Sequence, residues 1–221
     1  MAKNNKSKET KSWSEAEIVL KFNLKRIRAY QTDLMKEWLD VEPPQFNEFE
    51  QQLFDRKLNE ALQKIEGWSE EDLKMKFLAH ILELGHLHDQ KNVIGFFDKI
   101  ISAEVEGTFL RVKSDFMLAK GFMNLHQNPY FHFQEYKPNL NPTGEPMAQL
   151  LEAFLIGQAK NEKSIPLYGV EIIGERWRFV IMEAKEYCIS HSFSAVQEND
   201  LLKIIAILRK FKHLLFTRLM D

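Results

Sequence analysis

The sequence has little cysteine, no surplus of either charge and no long apolar stretch, and each shortage closes off a class of protein. A single cysteine, Cys188, stands in 221 residues, so neither an internal disulfide nor a thiolate zinc cluster can be built. The lone thiol fits a reducing compartment and otherwise reads as a small buried hydrophobe. Lys and Arg number 30 against 32 Asp and Glu, a formal charge of −2. That balance excludes a histone-like polybasic protein but leaves room for a local basic groove. The longest strictly apolar run is Ile204 to Leu208, far short of the roughly 18 residues that span a bilayer. Met1 to Ser12 carries Lys3, Lys6, Lys8 and Lys11 against Glu9 with no apolar segment behind it. It reads as a solvated tail, not a secretory signal. There is no internal repeat and no recognisable motor or zinc-finger module. A cytoplasmic protein without a membrane partner is expected.

What is there is a 44% hydrophobic composition, enough for a sizeable core in one domain with an attached segment. Ser14 with Glu17 forms a capping box, followed by an approximate helical stripe of Ile18, Phe22, Ile27, Tyr30, Leu34 and Trp38. Pro43-Pro44 breaks the chain, and Phe46 to Ile65 predicts a second helix that Gly67 punctuates. Ser69 with Asp72 opens a third, closed by Gly85 as a C-cap. From Asp98 to Lys137 the period becomes two, with turns expected at Gly107 and Gly121 and a third strand over Tyr130 to Lys137. Pro138 to Pro146 reads as a loop and Met147 to Gln158 as a helix. Strands follow at Leu167 to Ile173 and Arg176 to Met182, and a last helix at Glu198 to Leu219. The expectation is an α/β or α+β domain over 68–221, a helical N-terminal extension over 13–67 and a tail over 1–12.

Two strands carry charge where core is expected. Alternation puts Phe131, Phe133, Glu135 and Lys137 on one face, which turns from apolar to a carboxylate and an ammonium roughly 7 Å apart. Such a switch is either an internal ion pair or a site. Asp115 sits among apolar neighbours in the preceding strand, against β propensity, and a hairpin-like pairing would bring it beside Glu135. Two adjacent carboxylates repel unless a cation lies between them, and hard oxygen donors favour Mg²⁺ or Mn²⁺.

An Asp ending one strand, with Glu-x-Lys on the next, resembles the PD-(D/E)-x-K nuclease superfamily. The residues are Ser114-Asp115 and Glu135-Tyr136-Lys137. Ser69-Glu70-Glu71-Asp72-Leu73-Lys74, Phe77-Leu78 and Leu82-Glu83-Leu84-Gly85 look like the helix before the core in nuclease domains of type I restriction motor subunits. Gln149 falls where many members carry a helix Gln, and Tyr168-Gly169-Val170 with Gly174 to Phe179 resemble the closing strands. The likeness spans Ser69 to Leu219 and is carried by the order of parts. Ser114 replaces the proline of the PD pair, and Ala153 stands where some members have Tyr.

The resemblance implies a restriction-endonuclease-like mixed central sheet flanked by helices, and phosphodiester hydrolysis, with DNA as partner. Asp115, Glu135 and the Tyr136 carbonyl would hold Mg²⁺ (or Mn²⁺), with Glu70 completing the metal shell. Lys137 would orient the attacking water, and Gln149 would position the water or the phosphate backbone.

Other readings stand beside these. Glu135 and Lys137 also suit a salt-bridged strand end. Glu70 suits the first turn of any helix, and Gln149 a solvated or capping role. His86, His88 and Asp89 lack a third ligand at helical spacing and read as a polar helix exit. His132 faces away from Glu135. Arg176, Arg178 and Lys185 are either phosphate contacts or edge protection. The basic face of the last helix, with Lys203, Lys210 and Lys212, reads as solvated. The functional rivals are a catalytically silent protein of the same fold that binds or assembles, and a small-molecule enzyme using Asp115 and Glu135 as acid and base in a closed apolar pocket. The N-terminal helices are candidates for contact with a protein partner or a second copy.

Overall fold

The computed structural model describes residues 12–87, 92–139 and 144–220. Its centre is a mixed eight-stranded sheet in the order β1-β7-β6-β5-β4-β3-β2, with β8 pairing beside β6. The strands are β1 (Lys25–Arg28), β2 (Val93–Val105), β3 (Thr108–Phe122), β4 (Leu125–Lys137), β5 (Leu167–Ile173), β6 (Arg176–Glu183), β7 (Glu186–Ile189) and β8 (Phe193–Ser194). The β4–β5 and β1–β7 pairs are parallel and the others antiparallel. Helices lie on both faces, which makes the chain an α/β protein. Helices α1 (Glu15–Lys21) and α6 (Pro146–Lys160) pack on one face. Helices α2 (Asp33–Leu39), α3 (Glu48–Lys64), α5 (Ala79–Leu84) and α7 (Glu198–Leu214) pack on the other. No helix among the described residues is long and apolar enough to cross a membrane.

The helix starts follow their caps. Ser14–Glu17 and Ser69–Asp72 form reciprocal capping boxes, as expected, and Asn47–Glu50 forms another. Ser69 opens the short α4 (Glu70–Leu73), which runs through a π-helical turn at Lys74–Leu78 into α5. Gly85 is the C-cap of α5, as expected, in a right-handed conformation, and the left-handed residue is the next one, His86 (φ 58°). Gly85 is required by packing, because a Cβ there would lie 2.7 Å from Leu208 Cβ on α7. His86 bonds Glu50, in keeping with a polar helix exit, whereas His88 and Asp89 fall outside the described residues.

Several expectations are corrected. The stripe from Ile18 to Trp38 is not one helix; Lys25–Arg28 forms an edge strand parallel to β7. The segment expected as a helical extension therefore supplies sheet. It also supplies core: Trp38 is fully buried, donates its indole N–H to Ile207 O at 3.0 Å and packs edge-on against Tyr168 and Phe179. Gly121 lies inside β3 rather than in a turn, and glycine is needed there because a Cβ would meet the Phe96 ring at 2.5 Å. The alternation in β4 breaks at Phe131. The register jumps from Leu118↔His132 to Ala119↔Tyr130, and this bulge turns Phe131 toward the α7 side while Phe133 stays on the α6 side.

Trp38→Ala is expected to cost about 3–5 kcal/mol in urea unfolding, the usual range for emptying a fully buried Trp site. A loss below about 1 kcal/mol would show that residues 33–39 do not belong to the cooperative core.

Candidate functional site

Strands β3 and β4 pair over Phe116↔Gln134 to Phe122↔Leu125 and then part. Continued by one step, the register would set Asp115 opposite Glu135. Backbone pairing ends there because the Asp115 carboxylate takes the place of a strand: its Oδ2 accepts the Tyr136 N–H at 2.8 Å. In a strand the N–H and C=O of one residue point to the same side, so the Tyr136 carbonyl is directed into the same fork. Lys137 alternates to the other side, where its carbonyl accepts the Gly174 N–H.

The fork is buried. Asp115 and Lys137 are buried and Glu135 is completely so. Neither Glu135 oxygen has a hydrogen-bond partner. Burial pushes the Glu135 carboxyl well above the usual carboxylate range, and the Asp115 carboxylate pushes it further, against the opposing pull of Lys137 and the nearby Ser114 hydroxyl. Burial also raises Asp115, although the Tyr136 N–H and the Lys137 ammonium pull the other way.

The Lys137 ammonium bonds Glu70 Oε2 at 3.2 Å. Glu70 is the first residue of α4; it is bonded to Lys137, and its charge also acts on Asp115. Gln149 lies in the first turn of α6 with its Oε1 buried and unpartnered.

Several groups around the fork carry weaker sequence signals. Lys74, placed by the π-helical turn, reaches Asp98 at 3.0 Å, and Lys113 reaches the same carboxylate at 2.7 Å. Burial alone would raise Asp98, but the two ammonium groups hold it below its ordinary value. Asp98 sits inside β2 at φ 55°, a conformation that costs a non-glycine residue energy and favours functional places. In the sequence it reads as an ordinary strand residue. Glu171 lies beside Glu135 in the β4–β5 register, and Arg178, its partner on β6, neutralises it. A carboxylate amid Tyr168-Gly169-Val170 and Ile172 is the same signal that exposed Asp115. Glu152, one turn along α6 from Gln149, accepts the Arg111 N–H at 3.0 Å, closing the side of β3 that β4 has left.

Of the basic residues weighed as phosphate contacts, Arg178 is committed to Glu171 and Lys185 to Glu106. His132 does face away from Glu135, inside the core beneath α7. Burial depresses its imidazole to about 3. A pocket of about 820 Å³ lies next to the fork, lined by Phe49, Phe97 and Phe116 but by neither Asp115 nor Glu135.

A divalent cation fits the donor chemistry: two carboxylates, one with both oxygens unsatisfied, and a carbonyl directed at the same space. Among the described residues no three His, Cys, Asp or Glu side chains form a cage. The remaining positions would fall to water, which Mg²⁺ readily retains. No protein-family model matches this sequence, and no curated protein gives a match.

Burial raises Glu152 from 4.5 to about 7. The folded chain thus holds a proton that the unfolded chain has released, so stability falls as pH rises from 4.5 to about 7 and then levels. Glu152→Gln keeps the acceptor for Arg111 and is expected to flatten that slope. At pH 8 the gain over wild type is roughly 2–3 kcal/mol relative to pH 4, read by urea melts at both values. An unchanged slope would place the ionisation elsewhere.

Proposed function

We propose that the chain is a divalent-metal-dependent phosphodiesterase with a restriction-endonuclease-like core, acting on DNA. One observation carries this reading: the fully buried Glu135 carboxylate, with both oxygens unpartnered, stands at a strand fork beside Asp115. A buried charge left in that state costs several kcal/mol unless it is protonated or meets a cation. Lys137, two residues on, and the inward Tyr136 carbonyl supply what hydrolysis further requires.

Asp115, Glu135 and the Tyr136 carbonyl would hold the ion. Mg²⁺ or Mn²⁺, when bound, supplies polarisation of the scissile phosphate and a more acidic water. Asp115 is already oriented by the Tyr136 N–H, so little rearrangement is asked of it. The Lys137 ammonium exchanges Glu70 for the attacking water or a phosphate oxygen. It orients the lone pair toward phosphorus and offsets charge gathering on the phosphorane oxygens. Water adds its oxygen to phosphorus and releases a proton to solvent, the bond from phosphorus to the leaving oxygen breaks, and that oxygen takes up a proton from solvent. Glu70 guides Lys137 between substrates, and the buried Gln149 Oε1 offers an acceptor from α6.

The second reading, a nuclease-fold protein without turnover, draws on the Lys137–Glu70 ion pair, which occupies the ammonium that hydrolysis would use.

Plasmid and single-stranded DNA incubated with Mg²⁺, Mn²⁺ or EDTA distinguish the two. Metal-dependent cleavage is expected, falling about 10²- to 10⁴-fold in Glu135→Ala and Lys137→Ala. Mn²⁺ should also raise the melting temperature of wild type but not of Glu135→Ala, since a ligand that binds only the folded state stabilises it. Cleavage that survives in both variants rejects this site, and a chain that binds DNA but never cuts it supports the silent reading.

A further inference from the structure

Past the kink at Asp98 the two halves of the β2–β3 hairpin differ. In the distal half one face is core: Ile101, Val105, Leu110 and Val112 are buried in the cluster that includes α6. The opposite face has no cover among the described residues. Phe109 is 50% exposed and Ile100 51%, and Arg111 is exposed. Phe109, Arg111 and Lys113 are alternate residues of β3 and so share this face, roughly 7 Å apart. Ile100 lies directly across from Lys113. The row leads along β3 to Asp115. Beyond it Phe97, 41% exposed, packs at a tilt against Phe116 and opens onto the 820 Å³ pocket with Phe49, 65% exposed. Exposed rings therefore flank the carboxylates on both sides, with cationic groups between. The Arg111 guanidinium makes no ion pair among the described residues, while Lys113 shares Asp98 with Lys74.

We infer that this face is a track for an unpaired strand of nucleic acid, with bases against Phe109 and Phe97 and phosphates against Arg111 and Lys113. This deepens the proposed function and rests on it for the identity of the reaction, though not for binding. The argument for a single strand is that an exposed ring gains from stacking only where a base face is free, and a duplex keeps its base faces inside. The spacing of alternate side chains is close to that between phosphates of an extended strand. Charge complementarity is local: Glu104 stands across from Phe109 on the same face, so the cationic part is confined to Arg111 and Lys113, in keeping with a chain whose formal charge is only −2.

The test is fluorescence anisotropy of the full chain with a labelled single-stranded DNA oligonucleotide and the same sequence as duplex, in EDTA so that no cleavage occurs. The single strand is expected to bind about tenfold more tightly than the duplex. Phe109→Ala should weaken it about tenfold, the scale of removing one base–ring stack. Arg111→Ala with Lys113→Ala should lower the slope of log affinity against log salt by about 0.7 for each phosphate no longer neutralised. Lys203→Ala, which removes an exposed charge on α7, should change neither. Phe109 is surface-exposed, and an unchanged urea melt confirms that its variant folds. Equal affinity for duplex and single strand, or full affinity in Phe109→Ala, overturns the inference. So does a chain that binds no strand but forms a dimer that Phe109→Ala dissolves, since the face then belongs to a second copy. Tight single-strand binding with no cleavage in Mg²⁺ or Mn²⁺ sustains this inference and fails the nuclease reading.

Discussion

The Tyr136 N–H has no strand partner and meets the Asp115 carboxylate instead. Most of the charged region follows from that substitution. An unpaired buried N–H would be costly, so β4 can leave β3 only where a side-chain acceptor stands ready. Once the strands part, the residue between the last backbone pair and Tyr136 has nowhere wet to go. That residue is Glu135, enclosed with neither oxygen bonded. The fork thus creates an acceptor-rich space, and the same carboxylate that opens it makes it more negative.

The surroundings compensate without filling the space. Arg178 satisfies the next carboxylate along the row, Glu171, so that charge is closed off from the fork. Lys74 and Lys113 converge on Asp98, whose left-handed backbone lies where β2 changes the face it buries. Glu152 stops the freed edge of β3 from ending in an unpaired N–H. Glu135 alone in this row of carboxylates keeps both oxygens unsatisfied. A region designed only for stability would bury a hydrophobe there.

The reverse side of β4 explains why the fork can be held rigidly. His132, Gln134 and Tyr136 project to the α7 side, all fully buried. The Tyr136 hydroxyl donates to Gln134 Oε1 at 2.7 Å, and the Gln134 amide nitrogen lies 2.9 Å from His132 Nε2. Tyr136 is anchored twice, by its backbone to Asp115 and by its ring to this ladder. Glu135 between the anchors is not free to swing into solvent, a degree of preorganisation that a site gains from rigid strands.

The segments over Leu167 to Ile173 and Arg176 to Met182 could be read from residue types because their period is local, and so could the capped starts of α1 and α4. The importance of Asp115 and Glu135 was legible for a related reason: a carboxylate amid apolar strand residues conflicts with its surroundings wherever the strand goes. Glu171 carries the same mark. The strand at Lys25–Arg28 was not legible, since four residues of mixed polarity become a strand only when β7 offers an edge. Nor was the bulge that turns Phe131 away from Phe133, nor the ion pair of Glu70 with Lys137 across 67 positions. By itself the sequence determined which positions are unhappy in an apolar core, because burial energy depends on residue type. Which of those positions meet, which are neutralised and which is left open was decided by the tertiary structure, because charge pairing depends on distances that the chain acquires only when the sheet has closed.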